Sequence, residues 1–152
     1  MKFRVVVVGK ARDRALGEAA AAFEARARHY WPLEVIEVRE EPGRDDAAQV
    51  KAREGARLLE QAAGARIVAC DERGDTWDSA RFAAWMQRAR EEARDVAFVV
   101  GGAFGLDDAV RQGAERRLAL APWTLPHELA RVVLAEQLYR AGTIVRREPY
   151  HK

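Results

Sequence analysis

The clearest pattern in the chain is a series of short apolar runs separated by longer segments of mixed polarity. A continuous apolar run bounded by turn residues is typical of a strand buried on both faces. Leu33–Val38 instead alternates apolar and acidic side chains, which predicts a strand with one exposed face. The predicted strands are Phe3–Val8, Leu33–Val38, residues 66–70, Val96–Val100 and residues 118–121.

The segments between these strands repeat apolar residues at intervals of three and four, the spacing of amphipathic helices. Strands that alternate with helices predict an α/β fold, in which a mainly parallel sheet is covered by helices on both faces. We expect one domain over residues 1–152. The predicted helices are residues 12–29, residues 47–63, about residues 79–93, a short helix beginning at Asp107, and residues 125–141.

The last residues of the chain, 143–152, differ from the helix before them because they are polar and basic. Gly142 predicts the end of that helix, since glycine is common just past a helix C-terminus. Tyr150 and His151 then lie in a tail that either frays or docks elsewhere on the protein, and composition leaves both open.

Two of the predicted strands end in loops whose sequences suit ligand binding. One is Gly-Gly-Ala-Phe-Gly at residues 101–105, and the other is Pro-Trp-Thr-Leu-Pro-His at residues 122–127. Open α/β sheets bind ligands at the carboxyl ends of their strands. We therefore expect a pocket between the two loops, and we expect a side chain at Gly102 to obstruct it. A tight turn and a proline-fixed helix start explain the same loops without any ligand.

Composition narrows the class of protein without giving a function. The chain has 33% charged and 49% hydrophobic residues, a balance typical of folded soluble domains. Its net charge of +2 gives only weak attraction to phosphate. The single cysteine, Cys70, fits a reducing compartment, and no membrane span or signal peptide is evident, so we expect a cytoplasmic protein. The three histidines lack metal-ligand spacing, so no metal site is expected.

The helix predicted over residues 125–141 carries more apolar surface than one sheet face can cover. We expect the surplus to form the contact of a homodimer. Charged residues on this helix also recur at helical spacing: Arg131 lies four residues past His127, and Arg140 four past Glu136. A surface ion pair is the simplest explanation of the second pair.

Four segments together resemble a known family. They are Val-Val-Gly-Gly-Ala-Phe-Gly-Leu at 99–106, Thr-Leu-Pro-His-Glu-Leu-Ala-Arg-Val at 124–132, Glu-Gln-Leu-Tyr-Arg-Ala at 136–141 and Pro-Tyr-His at 149–151. Over essentially its whole length the chain resembles the bacterial methyltransferases that modify N3 of a pseudouridine in large-subunit (23S) ribosomal RNA, the smallest SPOUT methyltransferases. The resemblance implies a C-terminal trefoil knot, a homodimer, S-adenosylmethionine as methyl donor and the assembled ribosome as substrate.

The resemblance also implies which residues carry the reaction. The tail would fold over the cofactor pocket, where its aromatic residues hydrogen-bond the target base or accept its N3 proton. The chain departs from the family pattern at Cys70 and Phe104, where a leucine and an acidic residue are usual. The implied cofactor-binding residues are Cys70, Gly102, Pro122, Trp123, Thr124, Leu125, Pro126 and His127, and the implied catalytic residues are Arg131, Arg140, Tyr150 and His151.

Two other functions fit the same segments. A SPOUT methyltransferase acting on another ribosomal RNA nucleotide, or on tRNA, would carry the same cofactor loops. A non-enzymatic ribosome-binding factor would retain the fold without the chemistry. The chain shows no separate RNA-binding segment, which favours a target presented by a large preformed surface such as the ribosome.

Overall fold

The computed structural model describes residues 1–44 and 46–150 of the 152-residue chain. Its five strands form one sheet in the order β2-β1-β4-β3-β5, with every neighbouring pair parallel. The expected parallel α/β sheet is confirmed. The elements are β1 Phe3–Val8, α1 Arg14–Ala27, β2 Leu33–Val38, α2 Ala47–Gln61, β3 Arg66–Thr76, α3 Ser79–Glu91, β4 Val96–Val100, α4 Asp108–Gly113, β5 Arg116–Ala119 and α5 His127–Val145.

Three helices begin at an aspartate that caps them. The carboxylates of Asp13, Asp46 and Asp78 accept hydrogen bonds of 3.0, 2.9 and 2.7 Å from the backbone N–H three residues later. Each cap satisfies an N–H group that the start of a helix leaves unpaired. The predicted helices over residues 12–29, 47–63 and 79–93 are confirmed, with ends up to two residues inside those bounds.

Alternate side chains of the central strands enter two cores, one on each face of the sheet. Phe3 and Phe98 pack with residues of α1, α3 and α5, whereas Val6 and Val99 pack with residues of α2 and α4. The buried Trp31, just after α1, donates its indole N–H to the carbonyl oxygen of Leu138 in α5 at 2.8 Å. That bond satisfies a buried donor and joins the first and last helices. Helices therefore cover both faces, as expected.

The strand β3 is longer than the sequence predicts. It covers Arg66–Thr76, so the predicted end of this strand at residue 70 is wrong. Both Cys70 and Asp75 pair with Leu118 of β5, and the residues between them form a bulge within the strand. A β-carbon at Gly74 would lie 2.5 Å from the backbone carbonyl carbon of Arg117. Only glycine permits that approach, so the bulge lies directly on β5, which begins two residues earlier than expected.

Gly142 does not end the last helix, contrary to expectation, because α5 continues to Val145. A β-carbon at Gly142 would lie 2.3 Å from Cγ of Tyr30. Glycine within a helix costs about 1 kcal/mol relative to alanine. Its position here is explained by the Tyr30 ring, which rests against the helix backbone where no side chain would fit.

The chain after α5 is packed against the protein as far as Tyr150 and does not fray. Glu148 accepts a hydrogen bond from the hydroxyl of Tyr30. The Tyr150 ring centroid lies 4.6 Å from that of Tyr139, and the Arg140 guanidinium lies 4.9 Å from the Tyr150 ring centroid. The tail thus docks along the C-terminal half of α5. The trefoil knot stays a prediction.

Candidate functional site

A pocket of about 600 Å³ lies at the bulge of β3 and at the carboxyl ends of β4 and β5. Its volume is in the range of sites that hold a small molecule or cofactor. Its walls are the β3 bulge, the glycine turn after β4, the loop after β5 and the first turn of α5. The pocket therefore lies where the two loops predicted it. Its lining residues are Cys70, Asp71, Glu72, Val100, Gly101, Gly102, Ala103, Phe104, Gly105, Leu106, Arg111, Leu120, Ala121, Trp123, Thr124, Leu125, Pro126, His127 and Ala130.

The glycine turn over residues 101–105 is closed by contacts between its own backbone atoms. A β-carbon at Gly101 would lie 2.6 Å from the carbonyl carbon of Gly105. The Gly105 N–H donates to the Gly102 carbonyl oxygen at 3.0 Å, and Gly105 has a φ of 84°, a left-handed conformation that favours glycine. The glycines are therefore required to make the turn, whatever it binds.

The side-chain direction of Gly102 faces the protein interior, although its backbone belongs to the pocket lining. A β-carbon there would lie 2.7 Å from Oε1 of Glu54 and 3.2 Å from Cγ1 of Val8. The expectation that a side chain at Gly102 would enter the ligand's space is corrected by this geometry. A substitution at this position would first displace Glu54, and any effect on a ligand would follow indirectly.

Glu54 is a buried carboxyl group behind the glycine turn that the sequence analysis did not single out. It is 3% exposed, and its Oε2 accepts a hydrogen bond of 3.0 Å from the Glu41 N–H. Its Oε1 has no hydrogen-bond partner among the described residues. Burial raises the pKa of Glu54, which favours its neutral form. Its position between Val50 and Leu58 on the buried face of α2 was the available signal.

The wall opposite the glycine turn is held by polar contacts to the β3 bulge. The Thr124 hydroxyl donates to the carboxylate of Glu72 and ties the loop after β5 to the bulge. Asp71 accepts a hydrogen bond of 2.7 Å from the Arg111 guanidinium. Burial opposes ionisation of Asp71, but the Arg73 N–H and Arg111 outweigh it and lower the pKa of this carboxyl. Asp71 therefore stays a charged anchor for the pocket wall.

Seven of the eight predicted cofactor residues line the pocket; Pro122 is exposed beside it and contributes no lining atom. Cys70 lies in β3 where the bulge begins, and burial raises the pKa of its thiol to about 12. The thiol therefore stays neutral and is a poor nucleophile. The lining residues among those predicted are Cys70, Gly102, Trp123, Thr124, Leu125, Pro126 and His127.

Arg131 lies outside this pocket and is held by carboxylates. Its guanidinium donates to both Glu24 oxygens at 2.7 and 3.2 Å, and Glu37 lies 3.5 Å away. Burial alone would lower the pKa of Arg131, but these carboxylates raise it. The pair joins α5 to α1, a role in the fold. A catalytic role for Arg131 stays a prediction.

Arg140 and Tyr150 are far from the pocket of their own chain. Arg140 donates to Oε1 of Glu136 at 2.9 and 2.6 Å, and the Tyr150 hydroxyl donates to the same oxygen at 3.1 Å. At about 1.5 Å per residue, Tyr139 beneath Tyr150 lies about 18 Å along α5 from His127 at the pocket. The structure therefore places the tail apart from the pocket within one chain. His151 lies outside the described residues.

Neither a metal-binding group nor a membrane-spanning helix is found in the described part of the chain. Within residues 1–44 and 46–150, no group of three or more histidine, cysteine, aspartate or glutamate side chains is placed to hold a metal ion. In the same part of the chain, no helix combines the length and apolar character needed to cross a bilayer.

Comparison with known proteins identifies relatives over the full length of the chain. The family model for "Predicted SPOUT methyltransferase" matches residues 1–151. A protein of Gemmatimonas aurantiaca named ribosomal RNA large subunit methyltransferase H is 60% identical, with 100% of each chain covered. A protein of the same name from Nitratidesulfovibrio vulgaris is 49% identical, with 97% of each covered.

Two solved structures share the fold at low sequence identity. A probable methyltransferase from Bordetella pertussis has a TM-score of 0.57 and 19% identity, covering 92% of this chain and 95% of that one. A probable methylase family protein from Haemophilus influenzae has a TM-score of 0.59 and 16% identity, covering 99% and 70%. At such identities the likeness concerns the fold alone. With the family model matched from residue 1 to residue 151, the chain belongs to the SPOUT methyltransferase family.

Proposed function

We propose that this protein transfers a methyl group from S-adenosylmethionine to N3 of a pseudouridine in large-subunit ribosomal RNA, on the assembled ribosome in the cytoplasm. The observation that carries the proposal is the similarity, over full length and at up to 60% identity, to proteins named ribosomal RNA large subunit methyltransferase H. A single domain of residues 1–152 would provide both the cofactor pocket and the ribosome-binding surface.

The pocket fits the cofactor in size and in the groups that it offers. The glycine turn, which offers backbone N–H and carbonyl groups, lines it together with Leu120, Ala121, Trp123 and Leu125, a combination suited to a nucleoside. Cys70, Gly102 and the loop of residues 122–127 would hold the molecule. S-adenosylmethionine supplies an electrophilic methyl group on a sulfonium, so a direct transfer requires neither a metal nor a protein nucleophile.

The protein must help the N3 proton of the target base to leave, because an imide N–H is mostly protonated at neutral pH. A base or a hydrogen-bond donor to the developing charge would supply this help. Tyr150 and His151 are suitable in chemistry, but Tyr150 docks about 18 Å along α5 from the pocket of its own chain. We infer that the tail of a second copy completes the site.

A homodimer through α5 would bring that second tail to the pocket. Along this helix, Leu129, Val132 and Val133 remain partly exposed after the opposite side has packed on α1 and α3. An exposed apolar stripe on a helix is a common sign of a surface that another protein covers. A second copy of α5 related by two-fold symmetry is the simplest cover for a chain of this size.

Thr124 provides a first test, because its hydroxyl ties the pocket loop to Glu72. Replacing Thr124 by valine removes the donor but keeps the shape, so the loop should loosen. We expect the Kd for S-adenosylmethionine to rise about fivefold, the effect of about 1 kcal/mol, as measured by calorimetry. Thr124→Ser keeps the hydroxyl and should bind as the wild type does. Equal loss in both variants, or loss in neither, would contradict this role.

The proposed substrate is tested by comparing methyl transfer to naked ribosomal RNA, free large subunits and whole ribosomes prepared from cells lacking the enzyme. The net charge of +2 gives little general affinity for RNA, so productive binding should need the shaped surface of the ribosome. We expect transfer to whole ribosomes to be at least about tenfold faster than to naked RNA. Equal rates on naked RNA, or transfer to tRNA alone, would overturn the proposed substrate.

The contribution of a second tail is tested with a hybrid dimer. One chain lacks residues 150–152, and the other carries Ala121→Trp, which fills its pocket; two affinity tags allow the hybrid to be purified. Each variant alone should lose about 10²-fold in rate. The hybrid should recover about half of the wild-type rate, since it holds one complete site of two. A hybrid as inactive as its parents would show that the tail serves its own chain, and a monomer in light scattering would refute the dimer.

A further inference from the structure

Three large hydrophobic side chains are exposed among the described residues, and two of them are at the pocket. Trp123 is 76% exposed and Phe104 is 49% exposed; Tyr150, on the tail, is the third. Both Trp123 and Phe104 belong to the pocket lining. An apolar ring exposed to water at the edge of a binding site is a common sign of a surface that a partner covers.

Neither ring stacks on another group of the described chain. The tryptophans elsewhere have partners: Trp31 packs edge-on to Phe3 at 5.5 Å, and Trp77 lies 5.7 Å from Trp85. No aromatic ring or guanidinium among the described residues stacks on Trp123 or Phe104. Their faces are therefore available to a planar ligand.

Rigid backbone holds both rings at the pocket. Phe104 lies within the glycine turn, whose shape is fixed by the contact of Gly101 with Gly105. Trp123 precedes Thr124, which is bonded to Glu72 of the β3 bulge. Because the two rings come from two different walls, they can flank a flat group that enters between them.

We propose that Phe104 and Trp123 stack on nucleobases of the RNA substrate as the target nucleotide enters the pocket, and so help to hold that nucleotide out of its helix. This inference rests on the proposed function and adds two side chains that would contact the RNA substrate. A base must leave its stack to reach an enclosed site, and stacking on aromatic rings replaces the contacts it loses.

The exposure of the Trp123 ring favours an RNA base, rather than the adenine of the cofactor, as the group that stacks on it. A cofactor held by backbone groups within the pocket leaves a side chain that is three-quarters exposed, such as Trp123, directed mainly at solvent. A macromolecule arriving from outside would cover it. Arg73, on the β3 bulge beside Glu72, has a side chain 66% exposed and only a 3.8 Å contact to Asp71, so its charge is available to a phosphate.

The test measures steady-state methyl transfer to ribosomes lacking the modification, for Trp123→Leu, Trp123→Phe, Phe104→Leu and Phe104→Tyr. Leucine keeps apolar bulk without a ring face, whereas phenylalanine or tyrosine keeps the ring. We expect each leucine variant to raise KM for ribosomes about 5- to 100-fold with kcat changed less, and each aromatic variant to stay within about threefold of the wild type. Because the cofactor would be held by the backbone of residues 122–127 and not by the exposed Trp123 ring, calorimetry with S-adenosylhomocysteine should give unchanged Kd values for all four.

The outcomes separate this inference from the function on which it rests. Wild-type KM in both leucine variants, with an active parent enzyme, would overturn the stacking role and leave the proposed function intact. An equal rise in the Kd for S-adenosylhomocysteine would assign the rings to the cofactor and overturn the inference. An equal rise in KM in the leucine and the aromatic variants would show that packing rather than stacking is affected, and would overturn the inference. A wild-type protein that methylates no ribosome would overturn both proposals.

Discussion

The contact on which the pocket depends is the approach of backbone to backbone where the strands end. Gly101 lies so close to Gly105 that a β-carbon would stand 2.6 Å from the latter's carbonyl carbon, and Gly74 lies equally close to Arg117. These contacts place the glycine turn and the β3 bulge at fixed positions on either side of an opening of about 600 Å³. A larger residue at either glycine would separate the segments that form the walls. The pocket is thus a product of close packing of the main chain, with side chains added at its rim.

Buried carboxyl groups of this protein differ in whether an arginine compensates their charge. Asp71 and Glu24 are paired with Arg111 and Arg131, so their charges are compensated. Glu54 has an oxygen without a partner among the described residues, and burial raises its pKa. Because its pKa is raised in the folded state, its protonated form favours folding. The free energy of unfolding should therefore fall as pH rises through that raised pKa. Glu54 links the conformation of the glycine turn to α2, since Gly102 rests on its carboxylate.

The spacing of apolar residues predicted the elements whose bounds depend on neighbouring residues in the sequence. The apolar runs of β1 and β4 and the alternating pattern of β2 predicted the observed strand bounds, and the aspartate caps lie next to the predicted helix starts. The bulge in β3 was missed because it exists only through pairing with β5, which is distant in sequence. Gly142 was taken as a helix end because its contact with Tyr30 is tertiary. For the site, the two loops predicted the pocket, but the burial of Glu54 and the docking of Tyr150 on Tyr139 depend on how helices pack.

The central claim is that this SPOUT protein methylates a pseudouridine of large-subunit ribosomal RNA. Mass-spectrometric mapping of ribosomal RNA and tRNA from cells with and without its gene tests that claim most directly. We predict that the deletion removes one methyl group from a single pseudouridine of the large-subunit RNA, and that a wild-type copy restores it. Ribosomal RNA that is unchanged by the deletion, or a methyl group lost from tRNA instead, would contradict the account.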